Sequence, residues 1–199
     1  MKKYMIILSL VAMVFATGCK KEKIAGTLNG HDYVDLGLPS GTMWATCNVG
    51  ANSPEEYGDY YAWGEVVTKA TYLPSNYMYS GTSEILPLSA DAAAVNWGEG
   101  WRMPSYQQWY ELLTYCSNEQ TYGKGITFTG TNGNSIFLPA VGFRYDDVYD
   151  TGSDGRYWSS SLYTDNPNNA WFFNLIPHYF CMKSDGRSGG LAVRPVCIP

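Results

Sequence analysis

The sequence predicts one irregular α+β domain, and three observations predict it. Clusters of turn-forming residues recur roughly every eight to twelve positions: Leu38-Pro39-Ser40-Gly41, Asn48 to Pro54, Thr131-Asn132-Gly133-Asn134, Gly152-Ser153-Asp154-Gly155 and Ser184 to Gly190. Short segments between them have the apolar and β-branched content of strands. Among these stands one stretch, Ser105 to Cys116, with the apolar spacing of a helix face. The 199 residues suffice for one domain with a real core and not comfortably for two.

The chain opens with Met1, Lys2 and Lys3, followed by an apolar run from Tyr4 to Ala16. This is the pattern of a signal peptide, because a membrane span needs about 20 apolar residues. The run ends in Ala16-Thr17-Gly18-Cys19, which resembles the bacterial lipobox, with Ala16 where Leu is the commoner residue. The expectation is cleavage before Cys19 and acylation of its thiol. Residues 1–18 are then signal peptide, 19–29 the lipidated N-terminus and tether, and 30–198 the domain. The lipid bilayer becomes a partner through the N-terminal acyl groups, and more than one chain makes such anchoring stable. Loss of Lys2 and Lys3 takes the net charge from −5 to −7. Lys20, Lys21 and Lys23 read as a solvated tether beside the lipid. The protein is expected in the cell envelope as an outer-membrane lipoprotein, with either membrane face open to it.

Within the domain, Thr42 to Thr46 reads as a strand. Ser89 to Val95 reads as a short helix, driven by Ala92-Ala93-Ala94. Ser105 is an N-cap with Gln108 at the capping-box position, and Trp109, Leu112, Leu113 and Cys116 share one face of the helix that follows. Ile126 to Thr129, Ile136 to Leu138, Tyr157 to Ser161, Ala170 to Leu175 and Leu191 to Val196 read as strands. There is no internal repeat and no sustained heptad pattern, which removes solenoids and coiled coils.

Composition narrows the partners. Charged residues make up 16% of the chain and apolar residues 45%, the balance of a globular protein and not of a disordered one. A net charge of −5, with no basic stripe beyond residue 23, repels phosphate backbones, so no nucleic acid is expected as a partner. The 17 Tyr and 7 Trp are the unusual feature, since such rings favour places with one dry edge and one wet edge. With Cys19 assigned to lipid, Cys47, Cys116, Cys181 and Cys197 remain. In an exported chain they permit two disulfides in any of three connectivities, and a Cys116–Cys197 bridge is the expected one. The alternative for each is a buried thiol. None of the four forms a CxxC pair and only His31 and His178 could add imidazole, so no metal is expected. No H-E-x-x-H, G-x-G-x-x-G or P-loop occurs, no G-x-S-x-G forms a strand-to-helix elbow (Gly186-Arg187-Ser188-Gly189-Gly190 falls in a turn cluster between strand segments), and no cofactor and no catalytic residue are assigned.

Gly100-Trp101-Arg102-Met103-Pro104-Ser105-Tyr106-Gln107-Gln108-Trp109 resembles the signature W-R-L/M-P-T/S-x-x-E/Q-W. The family carrying it is the Fibrobacter succinogenes major paralogous (FISUMP) domain, abundant among lipoproteins of gut Bacteroidetes. Supporting stretches run in order from Val34 to Gly50, Tyr57 to Glu65, Asn134 to Ala140, Tyr157-Trp158-Ser159-Ser160-Ser161 and Val193-Arg194-Pro195-Val196-Cys197. The family is similar to the C-type lectin-like fold and more distantly to formylglycine-generating enzymes. The resemblance therefore implies two helices, a small twisted antiparallel sheet in which the terminal strands pair, and long irregular loops. It makes Trp101, Arg102, Pro104, Trp109 and Trp158 structural motif residues, and Arg102 is expected to meet a carboxylate or carbonyl, with Asp35, Asp59 and Glu65 as candidates.

Asp146, Asp147, Asp150 and Asp154 lie among turns without the spacing of a calcium loop. Asn166-Pro167-Asn168 is similar to part of a calcium-lectin sugar loop but lacks its acidic residue before Pro. Cys181 and Cys197 are too far apart in sequence to match the paired late cysteines of formylglycine-generating enzymes. What remains is binding by aromatic faces, with Tyr145, Tyr149, Tyr163, Trp171 and Tyr179 as the ligand-binding candidates. The expected function is that of an anchored, non-catalytic lipoprotein binding a carbohydrate or protein in recognition or adhesion. Two alternatives stand beside it: an enzyme on a scaffold like that of the formylglycine-generating enzymes, and a structural subunit of an envelope assembly.

Overall fold

The computed structural model describes residues 23–198, so Cys19 and the signal-peptide segment lie outside the described residues. The order of elements is β1 (Gly26–Leu28), β2 (His31–Asp35), β3 (Met43–Ala45), β4 (Tyr60–Tyr61), α1 (Ala92–Trp97), β5 (Trp101–Arg102), α2 (Tyr106–Tyr115), β6 (Ser117–Thr121) and β7 (Gly125–Thr129). There follow β8 (Ser135–Pro139), β9 (Phe143–Arg144), β10 (Val148–Tyr149), β11 (Gly155–Leu162), β12 (Asn169–Ile176), β13 (Tyr179–Gly186), β14 (Leu191–Ala192) and β15 (Val196–Cys197). No helix among the described residues is long and apolar enough to cross a membrane.

This is a mostly-β protein, and it corrects the α+β, two-helix, C-type-lectin-like expectation. Among the described residues two α-helices of 6 and 10 residues stand against fifteen strands arranged in several sheets. One sheet has the order β1-β2-β3-β15-β5, a second β13-β12-β11-β14-β4, and a third β6-β7-β8, with β9 and β10 as a separate hairpin. The excess of strand comes from segments whose side chains do not alternate cleanly. β6, Ser-Asn-Glu-Gln-Thr, is almost wholly exposed. β13 is half-exposed along its length and paired on one side only. Such strands form because backbone pairing with a better-buried neighbour supplies what their own side chains do not. The first expected helix shrinks for a local reason. Leu88–Ala90 is a 3₁₀ turn and Asp91 is the N-cap, accepting from the amides of Ala93 and Ala94 at 2.9 and 3.1 Å, so the helix starts at Ala92 and not at Ser89.

α2 forms as its sequence predicts. Ser105 Oγ accepts from Gln108 N at 3.3 Å while Gln108 Oε1 accepts from Ser105 N at 2.9 Å, completing the capping box. Trp109 and Leu112 are fully buried.

The second sheet divides the interior by the alternation of its strands. Trp158 and Leu162 of β11, with Ala170 and Phe172 of β12, join one apolar cluster with Trp63, Trp97, Trp101 and α1. Tyr157, Phe173 and Leu175 point the other way, into a cluster with Trp44, Trp109, Ile126, Phe128, Ile136 and Leu138. Trp109 and Phe173 stack with ring centroids 4.9 Å apart. Burying rings this large also buries indole N–H groups, which must find acceptors. Trp63 Nε1 donates to Ser159 O at 2.8 Å, Trp158 Nε1 to Tyr61 O at 2.7 Å and Trp101 Nε1 to Leu28 O at 3.1 Å. The motif residues Trp101, Trp109 and Trp158 are thus core, each 0% exposed, and Pro104 is buried beside them.

Two further expectations change. Among the described residues no disulfide joins Cys47, Cys116, Cys181 and Cys197. The Cys116–Cys197 bridge fails because Cys116 ends α2 in one apolar cluster and Cys197 sits on β15 in the other. Arg102 does not meet Asp35, Asp59 or Glu65. It donates to Trp101 O at 2.5 Å, and the carboxylate it acts on is that of Asp91. Glu65 instead pairs with Lys69 at 2.5 Å, and Asp35 accepts from Gly37 N at 2.7 Å.

Candidate functional site

α2 and the second sheet bring four rings together on the surface. Capping at Ser105 fixes the first turn of α2, so Tyr106 and Tyr110, one helical turn apart, project on the flank away from the buried stripe. Their rings lie within 11° of parallel with centroids 6.3 Å apart. Tyr106 N also donates to Ser161 Oγ at 3.0 Å, tying the start of α2 to β11. From β12, Trp171 reaches Tyr106 with centroids 4.7 Å apart, and Tyr163, just past β11, meets Trp171 edge-on at 5.0 Å. Tyr110, Tyr106, Trp171 and Tyr163 therefore form one continuous strip. Tyr110 is 55% exposed and the other three are half-buried. Of the seven tryptophans, Trp171 alone is not buried.

The surroundings of the strip are polar and poor in charge. Ser184 lies directly across from Trp171 on β13 and shares its sheet face, whereas Lys183 pairs with Phe172 and shares the opposite face. The turn from Thr164 to Asn168 is exposed and carries Asn166 and Asn168, with Asp165 its only charged residue. Gln107 on α2 is exposed beside Tyr106. Glu111, the one acid on α2, is held elsewhere by Ser40, whose N–H and hydroxyl donate to it at 2.8 and 2.5 Å.

The other ligand-binding candidates fall apart from this strip. Tyr145 and Tyr149 gather around Phe143, at 5.4 and 5.7 Å, with the Arg156 guanidinium over the Phe143 ring at 3.7 Å. Arg156 also approaches Phe172, which places this group on the face of the second sheet opposite Trp171. Tyr149 donates to Asp146 Oδ1 at 2.5 Å, a bond that holds the Asp146 carboxyl below its ordinary range and raises the Tyr149 phenol. Asp154 is buried and paired with Arg156 at 2.9 Å. Asp147 and Asp150 stay in exposed turns, and the described residues contain no group of three or more His, Cys, Asp or Glu able to hold a metal ion. Tyr179 lies at the start of β13, 55% exposed, with its side chain hydrogen-bonded to Cys181 and apart from both aromatic groups. Sequence reasoning selected Tyr163 and Trp171 and missed Tyr106 and Tyr110. The signal for the missed pair was a one-turn Tyr spacing on the wet flank of the best-capped helix.

A concavity lies at the motif segment. It is an open cleft of about 560 Å³, with Leu86, Leu88 and Ile198 among its apolar walls and Arg102, Gln108 and Ser160 among its polar ones. Asp91 closes its floor. Both carboxylate oxygens accept from Met103 N, at 2.9 and 3.0 Å, besides the α1 amides. Burial still raises the Asp91 carboxyl above its ordinary value, against those N–H groups and Arg102. Every polar group of Asp91 is engaged in holding the backbone, so it serves structure there. No family model, no curated protein and no solved structure matches the chain.

Proposed function

We propose that this chain is a FISUMP-type lipoprotein of the bacterial envelope, anchored in the outer membrane by an acylated Cys19, whose domain holds a partner on the Tyr110–Tyr106–Trp171–Tyr163 strip without transforming it. One observation carries the recognition half of this reading: the single unburied tryptophan sits within a run of four touching surface rings. Aromatic side chains exposed in a contiguous run cost solvation that isolated ones do not, and such patches mark contact surfaces. The anchoring half is supported by the positive start, the apolar run and the Ala16-Thr17-Gly18-Cys19 end of the leader.

The test takes the full chain from membranes in mild detergent and probes an array of glycans and glycoproteins, beside Tyr110→Ala and Trp171→Ala. Retention of a ligand by the parent chain and its loss in both variants, at unchanged melting temperature, is the expected result. Silence across the array for all three would remove recognition. Mass spectrometry of the N-terminal peptide is expected to show a lipid-bearing Cys19, and an unmodified residue there would remove the anchor.

A further inference from the structure

We infer that the strip takes a neutral glycan chain, several pyranose units long, laid across its rings. This rests on the recognition reading above and names the chemistry of its ligand. Three features of the strip select that class.

The first is the shape of the contact. The four centroids are spaced 6.3, 4.7 and 5.0 Å, the ordinary spacing of packed rings, and the run they make is longer than one sugar ring. The C–H faces of a pyranose carry partial positive charge and fit the negative faces of Tyr and Trp. Tyr110, 55% exposed beside the near-parallel Tyr106, offers one such face, while Trp171 is tilted by 56° to Tyr106 and meets Tyr163 edge-on, so the chain would follow a stepped surface.

The second is charge. No cation borders the strip on β13, because Lys183 shares the far face, and the adjoining turn contributes only Asp165. A uronic-acid or sulfated polymer would lose its hydration there and meet a carboxylate instead of an arginine. A neutral polymer incurs no such cost.

The third is the border. Gln107, Asn166, Asn168 and Ser184 are amides and a hydroxyl, each able to donate and accept. They match the hydroxyls of a sugar whose ring is stacked on the aromatics. Ile85, which pairs with Ser161 beside the start of α2, and the partly buried Leu113 and Met182 are the apolar residues near the strip, and they are scattered singly among these polar groups.

The contact is made by ring faces and hydrogen bonds, so it calls for no metal. Isothermal titration of the full chain in mild detergent with xylohexaose, cellohexaose and mannohexaose tests this, with hexagalacturonate as the anionic counterpart. At least one neutral hexasaccharide is expected to bind. Its disaccharide should bind about tenfold more weakly, and Tyr110→Ala and Trp171→Ala should each weaken it about tenfold. Tyr122→Ala, on an 85% exposed ring elsewhere, should leave binding and melting temperature unchanged. Tyr110 is half out of the fold, so its variant remains informative if Trp171→Ala melts early. Hexagalacturonate or a glycoprotein bound in place of the neutral chains, and lost in the same variants, would overturn the neutral-chain inference and leave recognition standing. Neutral binding abolished by EDTA would overturn stacking as its basis. Absence of every ligand, here and on the array, would overturn both.

Discussion

Asp91 sits 1% exposed and accepts from three backbone amides, those of Ala93, Ala94 and Met103. Replacing it by Ala would uncap α1 and leave the Met103 N–H buried without an acceptor. A lost cap costs about 1 kcal/mol and an orphaned buried donor about 1–3 kcal/mol, so Asp91→Ala should lower the urea unfolding free energy by about 2–4 kcal/mol. Asp91→Asn, which keeps one acceptor oxygen, should lose less. Equal losses in the two variants would contradict this reading. The thiols make a second test at this scale. Burial pushes Cys116 and Cys197 from 9.0 up to about 11. As pH rises from 9 the unfolded chain releases these protons first, the folded chain keeps them until about 11, and stability falls across that window. The melting temperature of the Cys116→Ala/Cys197→Ala double variant should therefore decline less steeply between those values than that of the parent, and parallel slopes would be inconsistent with buried thiols. These roles were not legible in the sequence. An even cysteine count in a chain expected to be exported suggested disulfides, but pairing depends on which apolar cluster each residue joins, and that is set by contacts far along the chain.

α2 was legible because everything that defines it is local. Ser105 and Gln108 close the first turn, and Trp109 and Leu112 face inward. Ser105→Ala should cost about 1 kcal/mol in chemical denaturation, the usual worth of an N-cap, and a loss under a few tenths would contradict the cap's part in the helix. The strands with strong cores, β11 and β12, were also readable, since they are short runs rich in aromatic and apolar residues, Tyr157 and Trp158 on one and Phe172 and Phe173 on the other, buried on both faces. β13 and β6 were not, because their side chains are mostly wet and their place comes from pairing with β12 and β7. The same limit divided the candidate site. Tyr163 and Trp171 could be chosen as aromatics in a turn-rich region, yet that Trp171 lies over Tyr106 while Tyr145 lies on the far face follows only from strand register.

At the scale of the whole molecule, two aromatic cores on either side of β11 and β12 make a scaffold from a chain poor in long aliphatic runs. Six tryptophans are consumed in that scaffold, so the seventh reports on the surface strip almost alone. The proposed anchor belongs to this scale as well. β1 begins at Gly26, so a short segment separates it from Cys19 and the domain would stay close to the bilayer. Cys19→Ala should lose the attached lipid and, with the leader no longer removed before residue 19, run heavier than the parent, and fatty-acid label retained by the variant would argue against lipid tethering at Cys19. The recognition claim is tested most directly by acrylamide quenching of tryptophan emission from the full chain, with and without a saturating neutral hexasaccharide. One quencher-accessible component, absent in Trp171→Phe and protected when the glycan is added, is the predicted result. An accessible component that stays equally open to quencher with the whole glycan series present would contradict it.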